Sequence, residues 1–140
     1  MENKHILIIA FIFSTLSASS INLKEAIANN QVAVLVTGSN YDSMPQALRA
    51  GYAPEMQMTL ANLSNQDIEL SLDPGYLFEA VEPGHQPMLL VQTLDYRLKP
   101  NERQLQFVYA MCTALSKAGP GTSLKFRVAE KASPAVVIAP

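Results

Sequence analysis

Residues 66–113 constrain the fold of this chain most, because strand-like runs alternate there with proline-containing turns. Ile68, Leu70 and Leu72 alternate with polar residues, which is the period of a strand with one buried face. Proline followed by Gly or Asn predicts three chain reversals, at Asp73-Pro74-Gly75, Glu82-Pro83-Gly84 and Lys99-Pro100-Asn101. The runs between these turns, residues 76–81 and 88–94, are predicted strands. This pattern indicates an antiparallel, all-β domain.

The strongest apolar alternation lies in residues 105–111. Large apolar residues occupy every second position there and alternate with smaller or polar ones. We therefore predict a central strand whose large side chains fill the core, namely Leu105, Phe107, Tyr109 and Met111. Cys112 is the only cysteine, so no disulfide forms within the chain, and we expect it in or beside the core as a small hydrophobic residue.

The remaining segments complete the expected fold. Residues 31–37 are apolar at successive positions and predict a first strand covered on both faces, and residues 56–61 predict a strand that forms a hairpin with residues 68–72. Residues 124–128 predict a half-exposed strand. Asn22 followed by Glu25 is typical of a helix N-terminus, and this helix is about two turns long. The predicted fold class is an antiparallel β-sandwich of seven or eight strands with one short N-terminal helix.

The N-terminus predicts export. Lys4 precedes the apolar run 6–13, and small or polar residues follow up to Ser20, which is the pattern of a secretory signal peptide. The apolar run is shorter than the ~20 residues of a membrane span, although an uncleaved anchor stays an alternative. We expect a signal peptide at residues 1–20, a single domain at 21–140, a periplasmic or secreted location, and no membrane span after cleavage.

Two segments are candidate partner-binding sites. Residues 39–54 form the longest loop without a strand pattern, and long loops on rigid sandwiches often carry binding residues. Its candidates are Tyr41, Met44, Arg49 and Tyr52, with a helical turn over residues 44–49; a solvated crossover between sheets is the alternative. The second segment is the apolar run between Pro134 and Pro140, with Val136, Val137 and Ile138 at its centre. It would pair with a sheet edge of its own domain or of another chain.

Few residues suit catalysis or metal binding. His85 lies near Glu82, but no nucleophile in a recognisable motif accompanies them. Methionine can coordinate copper, which makes a copper site a candidate, yet Met56, Met58 and Met111 fall at predicted core positions. We therefore expect no catalytic residues, no cofactor and no bound metal. The net charge of −2, without a basic cluster, also argues against nucleic acid as a partner.

The order of turns and runs in residues 56–126 resembles that of a known class of modules. Its segments are an Asn-Leu-Ser turn, a Leu-Asp-Pro-Gly turn, a Gln-Pro-Met-Leu-Leu-Val run, a Leu-Lys-Pro-Asn-Glu turn and an Ala-Met-Cys segment with a later Ser-Lys. This order resembles immunoglobulin-like β-sandwich modules of secreted bacterial proteins, over about half of the mature chain. The resemblance implies adhesion, scaffolding or substrate presentation, with no shared catalytic residues. We expect a non-enzymatic module that binds another envelope or secreted protein; the alternatives are a small extracytoplasmic hydrolase and a periplasmic copper-binding protein.

Overall fold

The computed structural model describes residues 19–114 and 116–133. In chain order its elements are β1 (Ile21–Asn22), α1 (Leu23–Ala28), β2 (Val32–Gly38), a 3-10 helix (Tyr41–Ser43), α2 (Gln46–Arg49), β3 (Met56–Asn62), β4 (Ile68–Leu72), β5 (Tyr76–Ala80), β6 (Met88–Leu90), β7 (Leu94–Leu98), β8 (Arg103–Val108), β9 (Ala110–Cys112) and β10 (Lys125–Lys131). The predicted helical turn over residues 44–49 is therefore present as α2.

The strands form two sheets. The larger has the order β8-β3-β2-β10-β5-β6-β9, and all of its neighbouring strands are antiparallel. The smaller has the order β1-β4-β7, in which β1 and β4 run parallel. The all-β sandwich class is confirmed. The described residues contain more strands than predicted, because β1 is too short to stand out in the sequence and because the predicted strands 88–94 and 105–111 each divide between two strands.

One long segment joins the two ends of the larger sheet. Only Tyr109 separates β8 from β9, yet these strands lie at opposite ends of the strand order. β8 pairs with β3, whereas β9 pairs with β6. The Val91 N–H also donates to the Tyr109 carbonyl at 3.2 Å, at the point where the pairing changes. The larger sheet thus curls around the core, and residues 103–112 close it.

A single apolar core lies between the sheets. Alternate residues of β3 and β4 are buried, as the period-two pattern requires. Leu23 and Ala26 of α1 are buried in the same cluster as the strand residues, so the helix packs directly against the core. The Asn22 side chain accepts the Lys24 N–H at 2.9 Å and caps this helix as predicted.

The predicted turns are confirmed by their backbone geometry. Gly75 and Gly84 have φ of +100° and +89°, in the left-handed region where glycine has no steric penalty. Asn101 also has a positive φ, and the Glu102 N–H closes this turn on the Lys99 carbonyl at 3.0 Å.

Three strand predictions are wrong. β3 and β4 lie in different sheets and form no hairpin, since each pairs with a strand later in the chain. Residues 88–94 are not one strand, because β6 ends at Leu90 and β7 begins at Leu94 in the other sheet. β2 is not covered on both faces, because Ala33 and Leu35 are exposed.

Some sequence predictions lie outside the described residues. These are the signal peptide, except Ser19 and Ser20, and the segment 134–140 with Val136, Val137 and Ile138. Within residues 19–114 and 116–133, no helix has the length and apolarity needed to cross a membrane.

Candidate functional site: an exposed apolar stripe

The strand predicted to fill the core turns its large side chains outward. Leu105 is 48% exposed and Met111 53% exposed, and Phe107 and Tyr109 between them are half-buried. The intervening Val108 and Ala110 are the buried residues of this segment. The predicted burial of Leu105, Phe107, Tyr109 and Met111 is therefore wrong, and we name these four residues the apolar stripe.

Two glutamines explain this orientation. Gln104 lies opposite buried Leu60 and Gln106 opposite buried Met58, so both glutamines share the inner face of the sheet. Gln104 Nε2 donates to the Arg97 carbonyl at 2.9 Å, and Gln106 Nε2 donates to Gln104 Oε1 at 3.0 Å. These bonds lower the cost of turning two amides toward the other sheet. Sequence reasoning missed the stripe because it assigned the larger apolar set to the core; the glutamines gave no sign that they would be hydrogen-bonded.

Uncharged rows flank the stripe on both sides. Side chains in lateral register on neighbouring antiparallel strands share one face of the sheet. The stripe's two ends therefore continue into the rows Leu35–Thr59–Leu105 and Leu77–Leu89–Met111. No charged side chain occurs in either row, although Arg103 and Glu79 lie next to the rows on the same face, two residues from Leu105 and Leu77. Depletion of charge around apolar and aromatic residues is typical of the centre of a protein interface.

The loop of residues 39–54 is held against this face. At one end the Asn40 N–H donates to Gln57 Oε1 at 3.0 Å, and Gln57 lies in register with Phe107. At the other end the Tyr52 ring stacks on Tyr109, with 6.2 Å between centroids and 23° between planes. The loop that was predicted to bind a partner thus extends the stripe through Tyr52, which is 60% exposed.

The Tyr52 hydroxyl is fixed as a hydrogen-bond donor. It donates to the Ala110 carbonyl at 3.3 Å. Partial burial raises the pKa of Tyr52 above 10.0, and the nearby Glu55 and Cys112 raise it further when they are charged. The phenol therefore stays neutral at physiological pH. Cys112 is exposed, so its predicted place in or beside the core is wrong.

The other loop candidates form a separate cluster. The Arg49 guanidinium lies 5.2 Å from the centroid of the Tyr41 ring. Arg49 also donates to the Met44 and Asp42 carbonyls, at 2.8 Å and 2.9 Å, which restrains its side chain. Tyr41 and Arg49 line an open depression of about 540 Å³. Met44 is only 2% exposed, so its side chain is not part of this surface.

The outer face of the smaller sheet is different. Its strands alternate buried apolar residues with charged or polar ones. Arg97 forms ion pairs there with Asp67 at 3.0 Å and with Glu69 at 3.8 Å. The outer face of the smaller sheet is thus polar and ion-paired, whereas the outer face of the larger sheet carries the apolar stripe and, on β10 and β5, an ion pair between Arg127 and Glu79 at 2.8 Å.

The residues considered for catalysis or metal binding are not brought together. His85 is half-buried rather than exposed, forms a backbone bridge with Ala118, and makes no hydrogen bond to Glu82 within the described residues. In residues 19–114 and 116–133, no group of three or more His, Cys, Asp or Glu side chains is positioned to hold a metal ion. Met56 and Met58 are buried as predicted, whereas Met111 belongs to the stripe.

Comparison of the chain with protein-family models, curated proteins and solved structures gives no significant match. The geometry of the site is therefore the basis for its functional interpretation.

Proposed function

We propose that this protein is a non-enzymatic binding or structural module of the cell envelope or secreted space, which binds another protein through the apolar stripe. The observation that carries the proposal is the exposure of Leu105 and Met111, with Phe107 and Tyr109 between them, on the outer face of the larger sheet. Large contiguous apolar surface on a folded domain marks an interaction site more often than a solvated face.

The composition of this surface supports a protein partner. Tyrosine, phenylalanine and methionine are enriched at the centres of protein interfaces, where charged residues are depleted. Tyr52 and Tyr109 are held against each other by stacking, and Tyr52 is fixed further by its hydrogen bond to Ala110. Binding would therefore immobilise few additional side chains, which reduces the entropic cost of association.

The remaining parts of the proposal rest on the sequence. The apolar run 6–13 after Lys4 supports export, so the partner is another envelope or secreted protein. The two-layer β architecture supports an immunoglobulin-like sandwich as the finer fold class.

Capture of partners from the native envelope extract tests this proposal. The stripe variant is Leu105→Lys with Met111→Lys in the full chain. The matched control is Leu63→Lys with Val81→Lys, because these residues are also exposed and apolar, at 56% and 65%, but lie outside the stripe. We expect the unchanged chain and the control to capture the same partner in equal amounts. The stripe variant should capture at least about tenfold less of this partner. Equal capture by both variants, with equal thermal stability, contradicts the proposal.

A further inference from the structure

Strands β2 and β10 pair at one end and then separate. Their ladder contains only two residue pairs, Thr37 with Lys125 and Val36 with Phe126. Beyond this point β2 continues to pair with β3, and β10 continues to pair with β5. Among the described strands, none lies between residues 32–35 of β2 and residues 127–131 of β10. The ladder between β2 and β10 is therefore interrupted beyond Val36 and Phe126, which leaves a gap in the larger sheet.

The gap has apolar walls. A cavity of about 160 Å³ lies there, lined by the apolar residues Ile27, Val34, Val36, Phe126 and Val128 and by the charged residues Lys24 and Arg127. Lys24 of α1 forms an ion pair with Glu130 of β10, which ties the helix to the strand beside the gap. Val36 and Phe126 are almost fully buried, at 1% and 6%, whereas Val34 and Val128 farther along are half-buried. Additional apolar side chains in this gap would complete the burial of Val34 and Val128.

The backbone supports the same conclusion. Strand edges carry a row of N–H and C=O groups that favour pairing with another extended segment. Here two such edges face each other across an apolar floor. An added strand would satisfy both at once, which is the chemistry of strand addition to a sheet.

The chain leaves the described structure at the open end of this gap. β10 ends at Lys131, and the Ala132 N–H donates to the Gly75 carbonyl at 2.7 Å, on the side of β5. The opposite side of β10 is the one that faces the gap. Residues 132–134 are sufficient for a turn, and Pro134 suits such a position.

We propose that residues 135–139 fold back into this gap as an additional strand, antiparallel to β10 and parallel to β2. Val136, Val137 and Ile138 are β-branched and apolar, which suits a strand above an apolar floor. The segment matches the free length of β10, residues 127–131. Pro134 and Pro140 lack an N–H and bound the segment at both ends. This proposal does not depend on the apolar stripe or its partner.

Disulfide trapping in the full chain tests the proposal. Cys112→Ser removes the exposed native thiol. Val34→Cys is then combined in turn with Val136→Cys, Val137→Cys or Ile138→Cys, because the length of the turn decides which side chain faces the floor. Neighbouring strands place Cα atoms within the range that a disulfide requires. The matched control joins the same tail positions to Ser71→Cys on the outer face of the smaller sheet.

The expected result is an intramolecular disulfide with Val34→Cys for at least one tail position, at a yield at least about tenfold above that with Ser71→Cys. Disulfides between two chains would show that a second copy fills the gap and would overturn the proposal. Yields equal to the control would overturn it as well.

Hydrogen exchange gives a second test that needs no cysteine. A chain that ends at Ser133 is compared with the full chain. We expect exchange in residues 33–35 to accelerate by at least about tenfold in the shorter chain, while β4 in the smaller sheet is unaffected. Unchanged exchange in residues 33–35 would contradict the additional strand.

Discussion

Asn62 shows at the residue scale how the two sheets are joined. Its side chain is 2% exposed and makes hydrogen bonds to two segments, residues 64–66 and 98–99. Nδ2 donates to the carbonyls of Gln66, Leu98 and Lys99, at 2.7, 3.3 and 3.0 Å, and Oδ1 accepts the Ser64 N–H at 2.9 Å. β3 lies in one sheet, and β4 and β7 in the other, so Asn62 fixes their relative position. The sequence indicated a turn here but not this role.

Asn62→Ala should lower the free energy of unfolding by about 3 kcal/mol, because it leaves buried backbone groups without their partners. Asn65→Ala is the matched control, since Asn65 is exposed in the same turn. Urea unfolding monitored by circular dichroism measures both variants. A loss below about 1 kcal/mol for Asn62→Ala would mean that these bonds do not position the sheets.

Because of Tyr96, we predict that the stability of the protein falls at alkaline pH. Burial raises the pKa of Tyr96 to about 12, above its ordinary value of 10.0. Between these values the unfolded chain loses the phenolic proton while the folded chain keeps it. The unfolded state then binds fewer protons, so the free energy of unfolding falls as pH rises through this window.

Tyr96→Phe should remove this contribution. We expect the variant to lose less stability than the unchanged chain between pH 9.5 and 11.5, a window of about two units that spans the ordinary tyrosine value. Urea unfolding at both pH values provides the comparison. Parallel losses in the two proteins would show that Tyr96 titrates alike in the folded and unfolded states.

At the element scale, the orientation of residues 103–112 determines whether the outer face of the larger sheet carries the apolar stripe. Because side chains alternate with period two, reversing the facing of one strand exchanges its whole set of buried residues. Val108→Ala should therefore cost about 2 kcal/mol, whereas Leu105→Ala should cost less than about 1 kcal/mol. Chemical denaturation of the two variants compares them within one strand. The opposite order would place the stripe in the core.

The end of β2 is a second element whose packing allows a sharp test. A Cβ atom on Gly38 would lie 2.5 Å from the Pro120 carbonyl oxygen and 2.7 Å from that of Gly121, both of which are backbone atoms. Gly38→Ala should therefore destabilise the protein by about 1–3 kcal/mol. Gly119→Ala is the control, because nothing lies within 4 Å of its added Cβ. Equal midpoints of thermal unfolding for the two variants would contradict this packing.

The elements also show what the sequence can predict. The turns at Gly75 and Gly84 and the cap at Asn22 were predicted correctly, because each depends on local backbone chemistry. The pairing of β3 was not, because it depends on β8, which is distant in the chain. The facing of residues 105–111 was not predictable either, since it depends on hydrogen bonds from Gln104 to a residue of the other sheet. Of the loop candidates, Tyr52 stacks on Tyr109 of the stripe, whereas Met44 is buried, because burial is set by tertiary packing.

At the scale of the whole molecule, the sandwich has two unlike outer faces. The smaller sheet presents the ion pairs of Arg97, whereas the larger presents the apolar stripe and Tyr52, with one ion pair between Arg127 and Glu79 on β10 and β5. Surface ion pairs contribute little to stability, so the polar face is consistent with simple solvation. The apolar stripe has no comparable structural reason to be exposed, and this difference is the basis of the binding proposal.

Photo-crosslinking in cells that produce the protein tests that proposal most directly. A photoreactive amino acid replaces Leu105 or Met111 in the full chain, and replaces Leu63 or Val81 in the control chains. We expect both stripe positions to crosslink to the same protein and the control positions to do so at least about tenfold less. Equal crosslinking from stripe and control positions, or none from the stripe, would contradict the claim that this face binds a protein.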